Sequence, residues 1–148
     1  KNEYTKELLN INRDYNVTLF EDPYAETEIN SFKELKKLCK NKFIIIGDDL
    51  TATNEKILKS LKIENLISGI IIKPNQCGTI TETIKALNYS REKKLMTILS
   101  ARSGDTEESF LSHLAVGWQT DMIKVGSLSR SERTAKWNEL LRINEKIK

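Results

Sequence analysis

Phe43-Ile44-Ile45-Ile46, running at once into Gly47-Asp48-Asp49, and Gly69-Ile70-Ile71-Ile72, running into Lys73-Pro74-Asn75, decide the architecture. A strand with one face in water alternates apolar and polar residues, and these runs do not. Continuous isoleucine suits strands buried on both faces, the habit of parallel sheets covered by helices. Outward from this pair, Val17–Phe20, Leu95–Leu99 and Met122–Val125 have the same character, so strand starts recur roughly every 25 to 28 residues, the tempo of βα repeats.

Helical spacing fills the intervals. Phe32, Leu35, Leu38 and Cys39 form one apolar stripe, Ile57, Leu58 and Leu61 a second, and Ile80, Ile84 and Leu87 a third. Phe110, Leu111, Leu114 and Ala115 follow the fourth strand, and Trp137, Leu140 and Leu141 share a face near the end. Thr79 with Glu82 and Ser129 with Glu132 read as capping boxes, and residues 1–14 read as a leading helix. The pattern is a helix followed by five βα units. A complete (β/α)₈ barrel takes ~250 residues, so five units would make a partial barrel, whereas an open doubly wound sheet could be whole at this length. No G-x-G-x-x-G follows the first strand and no Walker A loop is present, so neither standard nucleotide-binding sheet is supported.

Composition supports one folded domain over residues 1–148, because Leu, Ile, Val and Phe supply 41 of the 148 residues. The 24 basic and 21 acidic residues are interspersed, and a net charge of +3 without a basic block argues against nucleic acid or a membrane surface as partner. No apolar run approaches the ~18 residues of a membrane span. Cys39 and Cys77 stand apart with no CxxC or histidine companion, so they read as reduced thiols of a soluble, cytoplasmic protein. The sequence opens on Lys1 rather than methionine and reads as part of a longer polypeptide.

In parallel α/β folds chemistry gathers at the carboxyl ends of the strands. Glu21-Asp22-Pro23 follows the first run, Gly47-Asp48-Asp49 the second, Lys73-Pro74-Asn75 the third and Ser100-Ala101-Arg102-Ser103-Gly104 the fourth, while Lys124 lies in the fifth. Carboxylates on neighbouring strand ends offer hard oxygen ligands to a cation such as Mg²⁺, and Glu21 and Asp48 are the candidates. Asp22 and Asp49 read as loop or helix-capping carboxylates. Lys73, at the rim of a buried sheet, stands where a lysine becomes a useful base, although a lysine reaching into solvent is the commoner arrangement. Arg102 and Ser103 beside Gly104 form a polar loop able to hold a phosphate. His113 lies among apolar helix residues and reads as a packed or surface histidine outside the site, and Trp118 and Trp137 read as core or helix-packing residues.

These segments, taken together, resemble the enolase family in order and spacing. The resemblance rests on Phe20-Glu21-Asp22-Pro23-Tyr24-Ala25-Glu26, Gly47-Asp48-Asp49-Leu50-Thr51-Ala52-Thr53-Asn54, Lys73-Pro74-Asn75-Gln76-Cys77-Gly78-Thr79, Ser100 to Glu107, and Ile123-Lys124-Val125-Gly126 with Arg130-Ser131-Glu132-Arg133. It covers about Tyr15 to Lys146 and implies the carboxyl-terminal part of a (β/α)₈ barrel. The activity it implies is interconversion of 2-phosphoglycerate and phosphoenolpyruvate with Mg²⁺. On this resemblance Glu21 and Asp48 are two of three carboxylates on the metal, and Lys73 removes the proton beside the substrate carboxylate. Lys124 faces that carboxylate, Arg102 and Ser103 grip the phosphate, and Gln76 supports the site.

The departures from the family pattern define the alternatives. The family's loop reads Ser-His-Arg-Ser-Gly-Glu-Thr, and Ala101 stands here in place of the histidine. The third metal carboxylate, the acid that helps expel hydroxide and the serine-bearing loop for a second Mg²⁺ are not found in this sequence. One expectation is therefore an enolase part that is inactive alone and completed by the rest of its chain or by a partner chain, with homo-oligomer formation a further possibility. The other is a non-catalytic scaffold or interaction protein with a degraded site.

Overall fold

The computed structural model describes residues 2–147, and the chain divides into two compact units after Met96. The first unit holds α1 (Asn2–Tyr15), β1 (Leu19–Glu21), α2 (Ile29–Cys39), β2 (Ile44–Gly47), α3 (Glu55–Leu61), a 3₁₀ turn (Ile63–Asn65), β3 (Gly69–Ile72), α4 (Pro74–Cys77) and α5 (Ile80–Glu92). Here β1 pairs with β2 in parallel, Glu21 beside Ile46, and β2 pairs with β3 in parallel, Gly47 beside Ile70. In the second unit β4 (Met96–Ser100) pairs with β5 (Met122–Lys124) in parallel, Ser100 beside Lys124, with α6 (Phe110–Gly117) between them and α7 (Ser131–Ile147) after them.

The isoleucine runs explain the first unit. Ile45, Ile70 and Ile72 have no exposed surface and Ile71 has almost none, so side chains pointing to either face of the strands are covered. Each such side chain contributes about 1.5–3 kcal/mol of burial free energy. The α2 stripe is buried at Phe32, Leu35 and Cys39 but not at Leu38, which is exposed. Thr79 Oγ1 accepts the Glu82 amide at 3.2 Å, the capping contact that its spacing predicts.

Some expectations need correction. β1 begins at Leu19 rather than Val17, although Thr18 still accepts the Ile44 amide through its carbonyl oxygen at 2.8 Å. Each of β2 and β4 runs one residue further than the apolar pattern, into Gly47 and Ser100, and β5 stops at Lys124. Gly47 is required by close approach, since a Cβ there would lie 2.9 Å from Thr51 Cγ2 and 3.0 Å from Ile67 Cδ1. Ser129 does not cap the last helix: its hydroxyl pairs with Ser127 Oγ at 2.8 Å, and α7 starts at Ser131. Trp118 and Trp137 are half-buried, at the end of α6 and within α7. Lys1, the first residue of the expected leading helix, lies outside the described residues.

Candidate functional site

At the carboxyl ends of β1, β2 and β3, the chain brings Asp48 and Lys73 into contact. Asp48 follows Gly47 directly, is 7 % exposed, and its Oδ2 forms an ion pair with Lys73 Nζ. Gln76 Nε2 donates to the other oxygen, Oδ1, at 3.3 Å. A half-buried ammonium is kept out of solvent only because a carboxylate faces it, so this lysine does not reach into water as an isolated rim lysine would.

Two residues to which the sequence assigned no site role hold this pair in place. Asp22, expected to be a loop or capping carboxylate, accepts the Asp48 amide at 3.0 Å through Oδ1 and the Asp49 amide at 2.6 Å through Oδ2. It thus clamps the turn after β2 from the turn after β1, while its own amide donates to Ile46 O at 2.9 Å. Thr53, 1 % exposed, accepts the Lys73 amide at 2.9 Å and donates to Gln76 Oε1 at 2.8 Å. Its hydroxyl therefore fixes both the backbone of Lys73 and the amide orientation of Gln76, and Cys77 Sγ donates to Thr53 O at 3.1 Å.

Glu21 is the last residue of β1 and is exposed. The register sets it beside Ile46, so Asp48 lies two residues further along its strand direction. Among the described residues no three His, Cys, Asp or Glu side chains converge as a metal cage. Glu21 and Asp48 are hard oxygen donors of the right kind for Mg²⁺, which is commonly held by one or two carboxylates together with water and substrate oxygens.

Burial pushes the Asp22 carboxyl above the usual aspartate range, opposed by the two amides that favour its ionised form and assisted by the nearby Asp48 and Asp49 charges. A raised folded-state value means that its contribution is fully present below the ordinary aspartate value of about 4 and is lost as pH rises through the folded value. Urea unfolding of wild type and Asp22→Asn should therefore differ with pH, wild type gaining relative to the variant on acidification. A difference independent of pH would contradict this assignment.

In the second unit Arg102, Ser103 and Lys124 lie at or just beyond the carboxyl ends of β4 and β5, and all are exposed. Ala101 N donates to Lys124 O at 3.0 Å, so the backbone at this position carries the inter-strand contact whatever its side chain. The Asp105 amide closes the loop onto Arg102 O at 3.2 Å. His113 lies outside this loop on α6, with Nε2 2.9 Å from Glu139 Oε1.

Comparison with known proteins accords with this arrangement of strands. The family model described as "Enolase, C-terminal TIM barrel domain" matches residues 1–148. The chain is 45 % identical over 145 residues to an enolase of Ehrlichia canis, covering 98 % of this chain and 34 % of that protein. It is also 45 % identical over 142 residues to an enolase of Sulfolobus acidocaldarius, covering 95 % of this chain and 33 % of the relative. An enolase of Anaplasma phagocytophilum is 42 % identical over 144 residues. The chain spans about a third of the length of these relatives. Its five parallel βα units are part of a (β/α)₈ barrel, and the chain belongs to the enolase family through its carboxyl-terminal TIM barrel domain.

Proposed function

We propose that these 148 residues serve as the carboxyl-terminal part of an enolase, a lyase of glycolysis that interconverts 2-phosphoglycerate and phosphoenolpyruvate in the cytoplasm. The observation that carries the reading is the Asp48–Lys73 pair at adjacent strand ends, buttressed by Asp22, Thr53 and Gln76. A general base must be held at a fixed point against the proton it removes, and Lys73 is anchored at its amide and at its side chain. In this reading Lys73 Nζ takes the proton from the carbon beside the substrate carboxylate.

Lys124 faces the substrate carboxylate, where an ammonium opposes the charge that builds as the proton leaves. Arg102 and Ser103 offer a guanidinium and a hydroxyl to the phosphate. Glu21 and Asp48 would hold Mg²⁺, which when bound supplies positive charge to the carboxylate oxygens. Asp48 is already engaged by Lys73 and Gln76, so binding a cation there would require these contacts to rearrange.

With two of the carboxylates that the family pattern requires, the 148 residues assayed alone are expected to give no turnover of 2-phosphoglycerate in excess Mg²⁺. The remaining barrel would come from the rest of the enolase chain or from a partner chain, and association into a homo-oligomer would cover open strand edges. A steady-state assay of the purified chain and of the full-length polypeptide tests the reading. Turnover by the full-length polypeptide alone supports it.

Ala101 favours the second reading, a scaffold that has lost catalysis, because a methyl group replaces a ring able to contact substrate. In the full-length polypeptide Ala101→His should raise kcat or lower KM, its backbone contact to Lys124 being independent of the side chain. Unchanged kinetics would show that the missing histidine does not limit the reaction.

A further inference from the structure

Lys136 lies in α7 and is the one lysine among the largest fully buried side chains of the described residues, with 1 % of its surface exposed. Burying an ammonium is costly unless donors are satisfied and charge is balanced. Its Nζ donates to Glu132 O at 2.9 Å, one turn back on its own helix, and to Thr106 O at 2.7 Å. Asp105 Oδ2 lies 3.8 Å away and supplies the counter-charge.

Thr106 and Asp105 belong to the loop that follows β4, just beyond Arg102 and Ser103. Arg102, Ser103 and Gly104 are exposed, and their turn is closed by the Asp105 amide on Arg102 O at 3.2 Å. The same Asp105 accepts the Thr106 amide at 2.9 Å through Oδ1. Lys136 thus grips the far end of a turn whose near end carries the guanidinium and hydroxyl. Ser112 Oγ donates to Lys136 O at 2.8 Å, so α6 is fastened at the same residue. A surface loop with few packed contacts opens readily, and tying its backbone to a buried charge is a direct way to prevent that.

We propose that Lys136 is a positioning residue for anion recognition: it holds the Arg102–Ser103 turn in the conformation that binds the phosphate of the substrate. The choice of phosphate rests on the enolase reading above, whereas the clamp rests on the contacts of the Lys136 ammonium with Thr106, Glu132 and Asp105. At 1 % exposure Lys136 touches no substrate itself.

The test compares Lys136→Met and Lys136→Arg with wild type in the full-length polypeptide. Amide hydrogen exchange is read over residues 101–106, inorganic phosphate serves as the binding probe, and kcat and KM are measured with 2-phosphoglycerate. Lys136→Met should speed exchange over 101–106 by about tenfold or more while α5 stays protected, consistent with loss of a charge-assisted hydrogen bond. The phosphate dissociation constant and KM should rise by about tenfold with a smaller change in kcat, and Lys136→Arg should recover part of the loss. A folded Lys136→Met protein with unchanged loop exchange and phosphate affinity would overturn the proposal. If Lys136→Met does not fold, Asp105→Asn replaces it, with a rise of about two- to threefold in the phosphate constant expected and no change overturning the proposal. Faster loop exchange in the variant, joined to no phosphate or 2-phosphoglycerate binding by wild type, would overturn the anion role and the enolase reading while leaving the clamp.

Discussion

Lys73→Met in the full-length polypeptide should lower kcat for 2-phosphoglycerate by about 10²- to 10⁴-fold, the range general-base catalysis contributes. Methionine keeps much of the stem's volume and removes the ammonium, so the loss is chemical more than steric. The backbone there should persist, because the Lys73 amide is held by Thr53 Oγ1 at 2.9 Å and not by the lysine side chain. Asp48 would keep its Gln76 contact but lose its cation, so a modest fall in stability should accompany the loss of activity. Exchange of the substrate's carbon-bound proton with deuterated solvent separates the two effects, since it reports proton removal before hydroxide leaves. Full exchange in the variant would place the base elsewhere.

Phe32→Ala should cost about 3–5 kcal/mol of stability, the largest structural effect expected of a single substitution here. Phe32 is fully buried in α2, and its ring meets Tyr24 edge to face at a centroid distance of 5.6 Å. Tyr24 in turn meets Tyr4 at 5.6 Å and shares a 2.7 Å hydrogen bond with Thr5, so the stack joins α2, the loop after β1 and α1. Against a typical stability of 5–15 kcal/mol the substitution removes a large fraction. Urea unfolding measures it, and a loss under about 1 kcal/mol would mean that the aromatic stack is not part of the core.

Strands β2, β3 and β4 were legible because local composition alone signals burial on both faces, whereas β1 and β5 have the same apolar runs but are only partly covered, and the strand-end rule then singled out Asp48 and Lys73. Their ion pair depends on parallel register between residues 25 positions apart, which no spacing within either motif encodes. Asp22 reads from sequence as a loop or capping carboxylate because such a role needs only a near neighbour, whereas its partners Asp48 and Asp49 lie 26 and 27 residues away. Thr53 escaped notice for another reason: it sits at φ 49°, a left-handed conformation unusual for a β-branched residue, so local preference argues against the geometry that serves it. Lys136 runs against the rule that lysines stay at the surface, and the two carbonyls and the carboxylate around its Nζ make its burial tolerable. Ser129 failed in the opposite sense, since its spacing to Glu132 fits a capping box but nearby Ser127 takes its hydroxyl.

The proposal that the strand-end residues of this chain work as part of an enolase is tested most directly by the initial rate of phosphoenolpyruvate formation from 2-phosphoglycerate in Mg²⁺, measured for the full-length polypeptide beside its Lys73→Met variant and the 148 residues alone. Turnover by the full-length polypeptide, lost with Lys73 and absent from the 148 residues, is the result predicted. No turnover by the full-length polypeptide, or turnover that survives the loss of Lys73, would contradict it.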